Sequence, residues 1–191
     1  MKKILFLILL AIPFISVKSQ DFAEKKLIEM KKIITLTSIQ EKKLRDIYNS
    51  NLHTNDSIIY NVKDPIQASE LKFKSNKKLN DNLMSVLDEN QRIKYIRVIS
   101  TPEVNEKVNA KVALLQEKNT YTQSQIDSIS SSMFEYLMLE KYVYAKDKYD
   151  VAKQKENIRR LKRIEPSSIK ESNTIEKIKA QGKLSKNKIN W

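Results

Sequence analysis

The chain has no cysteine, one glycine, one histidine and one tryptophan among its 191 residues. Without cysteine no disulfide staples it, so stability must come from packing. Gly182 is the sole glycine. That excludes phosphate-cradling loops and dinucleotide-binding turns, whose backbones need residues without a side chain. It also argues against a hairpin-rich β fold, because tight β turns usually need residues with positive φ. His53 stands alone in the polar stretch NLHTND and reads as a solvated loop residue. A transition-metal site would have to borrow Asp56 or a methionine. Met30, Met84, Met133 and Met138 instead fall in apolar stripes, where they read as core filler. No acid faces a base in a pattern suggesting a cleft. The reading is a non-enzymatic protein with no cofactor and no metal.

Long hydrophobic runs are also lacking, except at the start. MKK supplies a positive n-region, and Ile4–Ile15 is an apolar run of 12 residues broken only by Pro13. Val17-Lys18-Ser19 offers small residues to a signal peptidase, so residues 1–19 are expected to be a signal peptide cleaved after Ser19. The run falls short of the ~20 residues needed to cross a bilayer. With no cysteine near the cleavage site, lipid anchoring is not expected, and the mature chain reads as an exported soluble protein.

The formal charge is +13, but it is unevenly spread. From Arg159 onward ten Lys/Arg meet three Glu, whereas residues 20–158 carry only +3. The basicity belongs to the C-terminal end, not to a whole nucleic-acid-binding face, and no nucleic-acid partner is expected. Such an end suits contact with anionic membrane or an acidic partner.

What is abundant is helical pattern. Asp21–Ile34 reads as a short amphipathic helix, and a second starts at Thr37 with Ile39, Leu44, Ile47, Tyr48 and Leu52 at helical spacing. Asn49–Lys63 holds Asn51, Asn55, Asp56 and Ser57, which suits a loop or a frayed helix end. Further helices are predicted for Pro65–Leu87 and from Glu89 to about Ile99. Another is expected to open at Thr101-Pro102 and end near Asn119, Pro being tolerated in a first turn. Thr122–Ile164 lacks Gly and Pro, and fits either one long helix or a hairpin bent around Lys146–Asp150. Glu165-Pro166 ends it. The fold class is all-α, as elongated helical hairpins. Residues 20–120 form a first helical unit, 121–165 a second, and 166–191 a basic tail, solvated and partly helical.

Four helix starts share one grammar. Thr37/Gln40, Asp64/Gln67, Asp88/Gln91 and Thr122/Gln125 each place a capping side chain three residues before a Gln. The first accepts from the backbone N–H three residues on, and the Gln reaches back to the N-cap N–H. Leu36, Leu87 and Tyr121 stand just before three of these caps as candidate staples. A shift of 85 residues lays Thr37/Gln40 on Thr122/Gln125 and Asp88/Gln91 on Asn173/Glu176, the pattern of two tandem hairpin units.

LTSIQ at Leu36–Gln40 and VLDENQRIKY from Val86 resemble the paired LTxxQ motifs of the Spy/CpxP family of exported helical proteins. Asp88 stands where the family commonly has Thr. The resemblance is best over Leu36–Val98, and matches motif positions at Leu36, Thr37, Gln40, Leu87 and Gln91. It implies a bent helical hairpin that often forms a homodimer, in the periplasm. It further implies an ATP-independent chaperone for unfolded or partly folded proteins, a stress-response modulator, or a metal-responsive protein. A helical adaptor with one stable partner is the alternative from another class.

Phe134, Tyr136, Tyr142, Tyr144 and Tyr149 do not share one helical face. They read either as core or as an amphiphilic client surface. In the second case Phe134, Tyr136, Tyr142 and Tyr144 would meet apolar segments while Lys141, Lys146 and Lys148 steer acidic ones.

Overall fold

Ala23, Leu27 and Met30, spaced four and three apart, put one buried stripe on α1, residues 22–31. The computed structural model describes residues 22–187, with side chains described to 181. The expected signal peptide, residues 1–19, lies outside the described residues. α1 closes in a turn, Ile33 and Ile34 both donating to the Met30 carbonyl at 2.9 and 3.0 Å. The chain then continues through α2 (Ser38–Asn61), α3 (Pro65–Val86), α4 (Glu89–Gln116), α5 (Gln123–Lys146) and α6 (Val151–Leu161). A 3-10 turn, Lys162–Ile164, leads to α7 (Ser167–Asn187). The described residues are all-helical. None of them has a positive φ. Helices instead stop at extended residues such as Val62 (φ −102°) and Leu87 (φ −83°), so the shortage of glycine costs nothing.

The structure differs from the sequence reading in four places. Asn49–Lys63 is neither loop nor frayed end, because α2 continues to Asn61. Its polar side chains bond along the helix instead of competing with it. Thr54 Oγ1 donates to the Ser50 carbonyl (2.8 Å), Asn55 Nδ2 to Asn51 Oδ1 (3.1 Å), and Asn61 Nδ2 to Ser57 Oγ (3.1 Å). His53 is therefore exposed on a helix, not in a loop.

Second, no helix opens at Thr101-Pro102; Pro102 lies inside α4. Thr101 Oγ1 turns back to the Arg97 carbonyl at 2.7 Å instead of capping forward. A proline in a helix interior costs about 3 kcal/mol. Ile96, Val104, Val108, Val112 and Leu115 are all buried from one stripe of α4, at roughly 1.5–3 kcal/mol each. Burial wins.

Third, the chain divides into two compact units between Tyr95 and Ile96, within α4, not at residue 120. The first has a core of Ala23, Leu27, Met30, Ile34, Leu36, Leu44, Tyr48 and Leu87. Phe22 meets Tyr48 edge-on at 6.3 Å between ring centres. The second buries Val104, Val108, Val112, Leu115, Met133, Tyr136, Leu137 and Met138.

Fourth, residues 167–181 are not a solvated tail. α7 contributes Ile169 and Ile175 to the second core, with Ser172 fully buried between them. The spacing of three and three makes one stripe that the surrounding Lys and Ser hide in the sequence. Asn173, expected as a cap, is in mid-helix and accepts a bond from Lys111.

Two helices do stand at the 85-residue offset. α2 and α5 both have 24 residues, beginning and ending 85 positions apart. Ala23, Leu27 and Met30 correspond to Val108, Val112 and Leu115, and all six are buried. The correspondence breaks after Lys146. α3 is one 22-residue helix, but α6 stops after 11, and Pro166 starts a new one. The break at Asp147–Asp150 is the bend that Thr122–Ile164 allowed, with Asp150 capping α6 by accepting from Lys153 N at 3.0 Å.

Candidate functional site

Three of the four capping motifs close. Thr37 Oγ1 accepts from Gln40 N (3.2 Å) while Gln40 Oε1 accepts from Thr37 N (3.0 Å). Asp88 and Gln91 do the same at 2.8 and 3.0 Å, and Thr122 and Gln125 at 3.3 and 2.8 Å. Asp64/Gln67 does not close. With Pro65 at the first helical position, Asp64 accepts from Ile66 N at 3.0 Å, and Gln67 stays exposed.

Gln40 and Gln91 do more than cap. Gln40 Nε2 donates to Gln91 Oε1 at 2.8 Å, and Gln91 Nε2 donates back to Gln40 Oε1 at 3.1 Å. The second amide hydrogen of each reaches a carbonyl on the other's side: Gln40 to Val86 (3.0 Å), Gln91 to Thr35 (2.7 Å). Each amide oxygen thus accepts twice and each nitrogen donates twice, which is the full capacity of the group. Two helix starts 51 residues apart are tied at the rim of the first core. Gln125 has only its own cap and is exposed. The LTxxQ-type glutamines are therefore a tertiary clasp in the first unit and a local cap in the second.

The candidate client surface on α5 is not assembled as a surface. Tyr136 is in the core, where burial pushes its phenol up to about 12. Phe134 packs against that core and carries the Arg97 guanidinium 5.2 Å above its ring. Arg97 also holds Glu135 through two bonds of 3.0 and 2.5 Å. Lys141 pairs with Glu103, whose carboxyl is held near about 2 by bonds from Lys107 first and Lys141 second. Tyr142 is half-buried beneath Lys146 at 5.5 Å, and Lys148 sits over Tyr149 at 5.5 Å. Only Tyr144 of the four candidate aromatics is openly exposed.

A more open surface lies on the α2–α3 hairpin, which the sequence reading passed over. Beyond Tyr48 its seam is polar. Asn51 Nδ2 donates to Ser75 Oγ at 2.9 Å, while Asn55 Oδ1 and Asn80 Nδ2 are buried with no hydrogen-bond partner. Such orphaned atoms cost roughly 1–3 kcal/mol each. Toward the turn Ile59, Tyr60, Ile66 and Phe73 are 58, 83, 71 and 54% exposed. A cleft of about 500 Å³ runs between the two helices, floored by Ile47, Ile58, Leu71 and Leu79.

The second unit holds a smaller cleft of about 360 Å³, lined by Lys107, Lys111, Glu140, Glu165, Asn173 and Glu176 among others. Glu140 is half-buried, and burial, then the Glu165 charge, raise its pKa against the pull of Lys107 and Lys111. A raised carboxyl is protonated more readily in the folded state, so folding gains stability as pH falls through that raised value. Above it the gain is absent. Glu140→Gln is expected to raise the melting temperature at neutral pH by roughly 2 °C and to flatten the rise expected on acidification of the parent. Melting curves at mildly acid and neutral pH check this; an unchanged pH dependence would contradict it.

Among the described residues no three His, Cys, Asp or Glu side chains converge as a metal-binding group. No helix among them is long and apolar enough to cross a membrane. No family model, curated protein or solved structure matches the chain.

Proposed function

We propose that this is an exported, ATP-independent protein-binding protein that holds unfolded or partly folded chains, in the manner of a periplasmic chaperone or envelope-stress modulator. The observation that carries the reading is the apolar end of the α2–α3 hairpin. Ile59, Tyr60 and Ile66 stand in solvent beside the turn, outside the first core. Large apolar side chains grouped in water are a cost to a monomer and mark a surface that meets another protein. Tyr60 offers a rigid ring with a polar tip, which suits weak and varied contacts. The Lys-flanked apolar start of the chain supports export, and the paired LTxxQ-type motifs support a helical chaperone scaffold. Among these features nothing requires nucleotide: the one glycine is too few for a phosphate loop.

At equimolar ratio the mature chain is expected to slow aggregation of a chemically unfolded client, measured by light scattering. Substituting Ile59, Tyr60 and Ile66 together with Ser is expected to remove most of that effect while leaving helicity unchanged. Parent protein without effect, or a triple variant as active as the parent, would overturn the reading.

A further inference from the structure

We propose that the cleft between α2 and α3 seats an amphipathic helix of a partner protein, one that carries acidic residues a turn apart beside its apolar stripe. This rests on the protein-binding reading and specifies its partner. Peptide recognition uses a few backbone modes, and the lining selects among them. Strand addition needs a sheet edge, and the described residues contain no sheet. Polyproline recognition needs an aromatic-lined groove, and no aromatic residue lines this one. What remains is the mode in which a helix lays its apolar face into a groove.

The dimensions agree. Ile47 and Ile58 lie 11 positions apart on α2, or roughly 16 Å, three turns of a docked helix. The apolar floor alternates with Ser50, Asn51, Thr54 and Ser75, whose short side chains let a third helix approach closely. Asn51 Nδ2 already donates to Ser75 Oγ, so covering the pair does not strand the Asn51 amide.

Charge chooses the partner. Lys74 and Lys78 stand one turn apart on α3 along the cleft. Neither has an ion-pair partner among the described residues, whereas neighbouring Lys77 pairs with Asp81 at 2.6 Å. The one carboxylate in the lining, Asp46, pairs with neither lysine. Carboxylates four residues apart on a docked helix repeat at the same rise as these two ammonium groups. A second copy fits poorly, because a two-fold contact through this cleft would bring Lys74 and Lys78 of one copy against the same lysines of the other.

The test uses the mature chain and two fluorescent 18-residue helical peptides sharing a leucine stripe, one flanked by Glu and the other by Lys at the same positions. Fluorescence anisotropy is expected to show the Glu peptide binding about tenfold tighter, with the margin shrinking in salt. K74E/K78E is expected to reverse the preference without moving the melting temperature. Failure of the Glu peptide to bind, or an unchanged preference in the variant, overturns the proposal. So does a parent dimer in sedimentation that K74E/K78E dissolves, which would assign the cleft to a second copy. The two readings fail separately. The Ile59/Tyr60/Ile66 serine variant should still bind the Glu peptide, and a parent chain that binds it yet suppresses no aggregation sinks only the chaperone reading.

Discussion

Replacing Gln91 with Ala is expected to destabilise the first unit by roughly 3 kcal/mol and to lower its melting midpoint by about 10 °C or more. The side chain makes four bonds: with Asp88 N, the Thr35 carbonyl, and Gln40 in both directions. Its removal takes one bond from each end of the half-buried Gln40 amide, which keeps only Val86 and its own cap. Gln40→Ala should cost about as much. The double variant should cost far less than the sum, because each single change already breaks the shared pair. Gln91→Glu is expected to be as damaging as Ala. A carboxylate cannot donate to Thr35 or to Gln40 Oε1, and it brings charge to a site built from an uncharged pair. Gln125→Ala is the control: an exposed cap worth about 0.5–1 kcal/mol. Denaturant melts of these variants check the contrast. Equal effects for Gln91 and Gln125 would mean that the clasp contributes nothing beyond capping.

Cutting the chain after Glu165 is expected to unfold the second unit. The cut removes Ile169 and Ile175, which close the core around Val108, Met133 and Leu137. Each buried isoleucine is worth roughly 2–5 kcal/mol when truncated to Ala, a sum comparable to the total stability of a small domain. Far-UV circular dichroism should lose more helix than the deleted residues account for, and amide protection in α5 should collapse. Ile169→Ala alone should weaken the unit by about 3 kcal/mol without unfolding it. A truncated chain that keeps α5 protected would show α7 to be dispensable. Since the basic end is part of a core, the contribution of its charges must be tested by substituting exposed lysines such as Lys170 and Lys177, not by deletion.

Much of the fold was legible because it is built from local signals. The starts of α2, α4 and α5 were marked by a capping residue with an apolar neighbour, and that of α3 by Asp64 before Pro65, information contained in five consecutive residues. The missing glycine told the class, and the helices do end without left-handed residues. What was hidden depends on partners distant in sequence. Pro102 looks like a helix start by itself. Only the burial of Ile96 on one side and Val104 on the other shows why the helix runs through it. Ile169 and Ile175 look dilute among lysines until the second core is seen to close on them. Gln40 and Gln91 were each readable as caps, but nothing in either motif says that the two amides bond one another. The aromatic residues of α5 were readable as core or as surface for the same reason. Tyr136 is core, Phe134 and Tyr142 are covered by Arg97 and Lys146, and Tyr144 is exposed. Ile59 and Tyr60 were passed over because a stretch rich in Asn and Asp reads as a loop, and Ile66 because it falls in the first turn of a predicted helix.

The proposed placement of client binding on the α2–α3 hairpin can be tested in one measurement. A photo-crosslinking amino acid is placed at position 60 in one protein and at position 144 in another. Tyr60 and Tyr144 are both exposed tyrosines, one on the hairpin and one on α5. Each protein is irradiated with an unfolding client. The expected result is strong client crosslinking from position 60 and little from position 144. Crosslinking mainly from position 144, or none from position 60, would contradict the account.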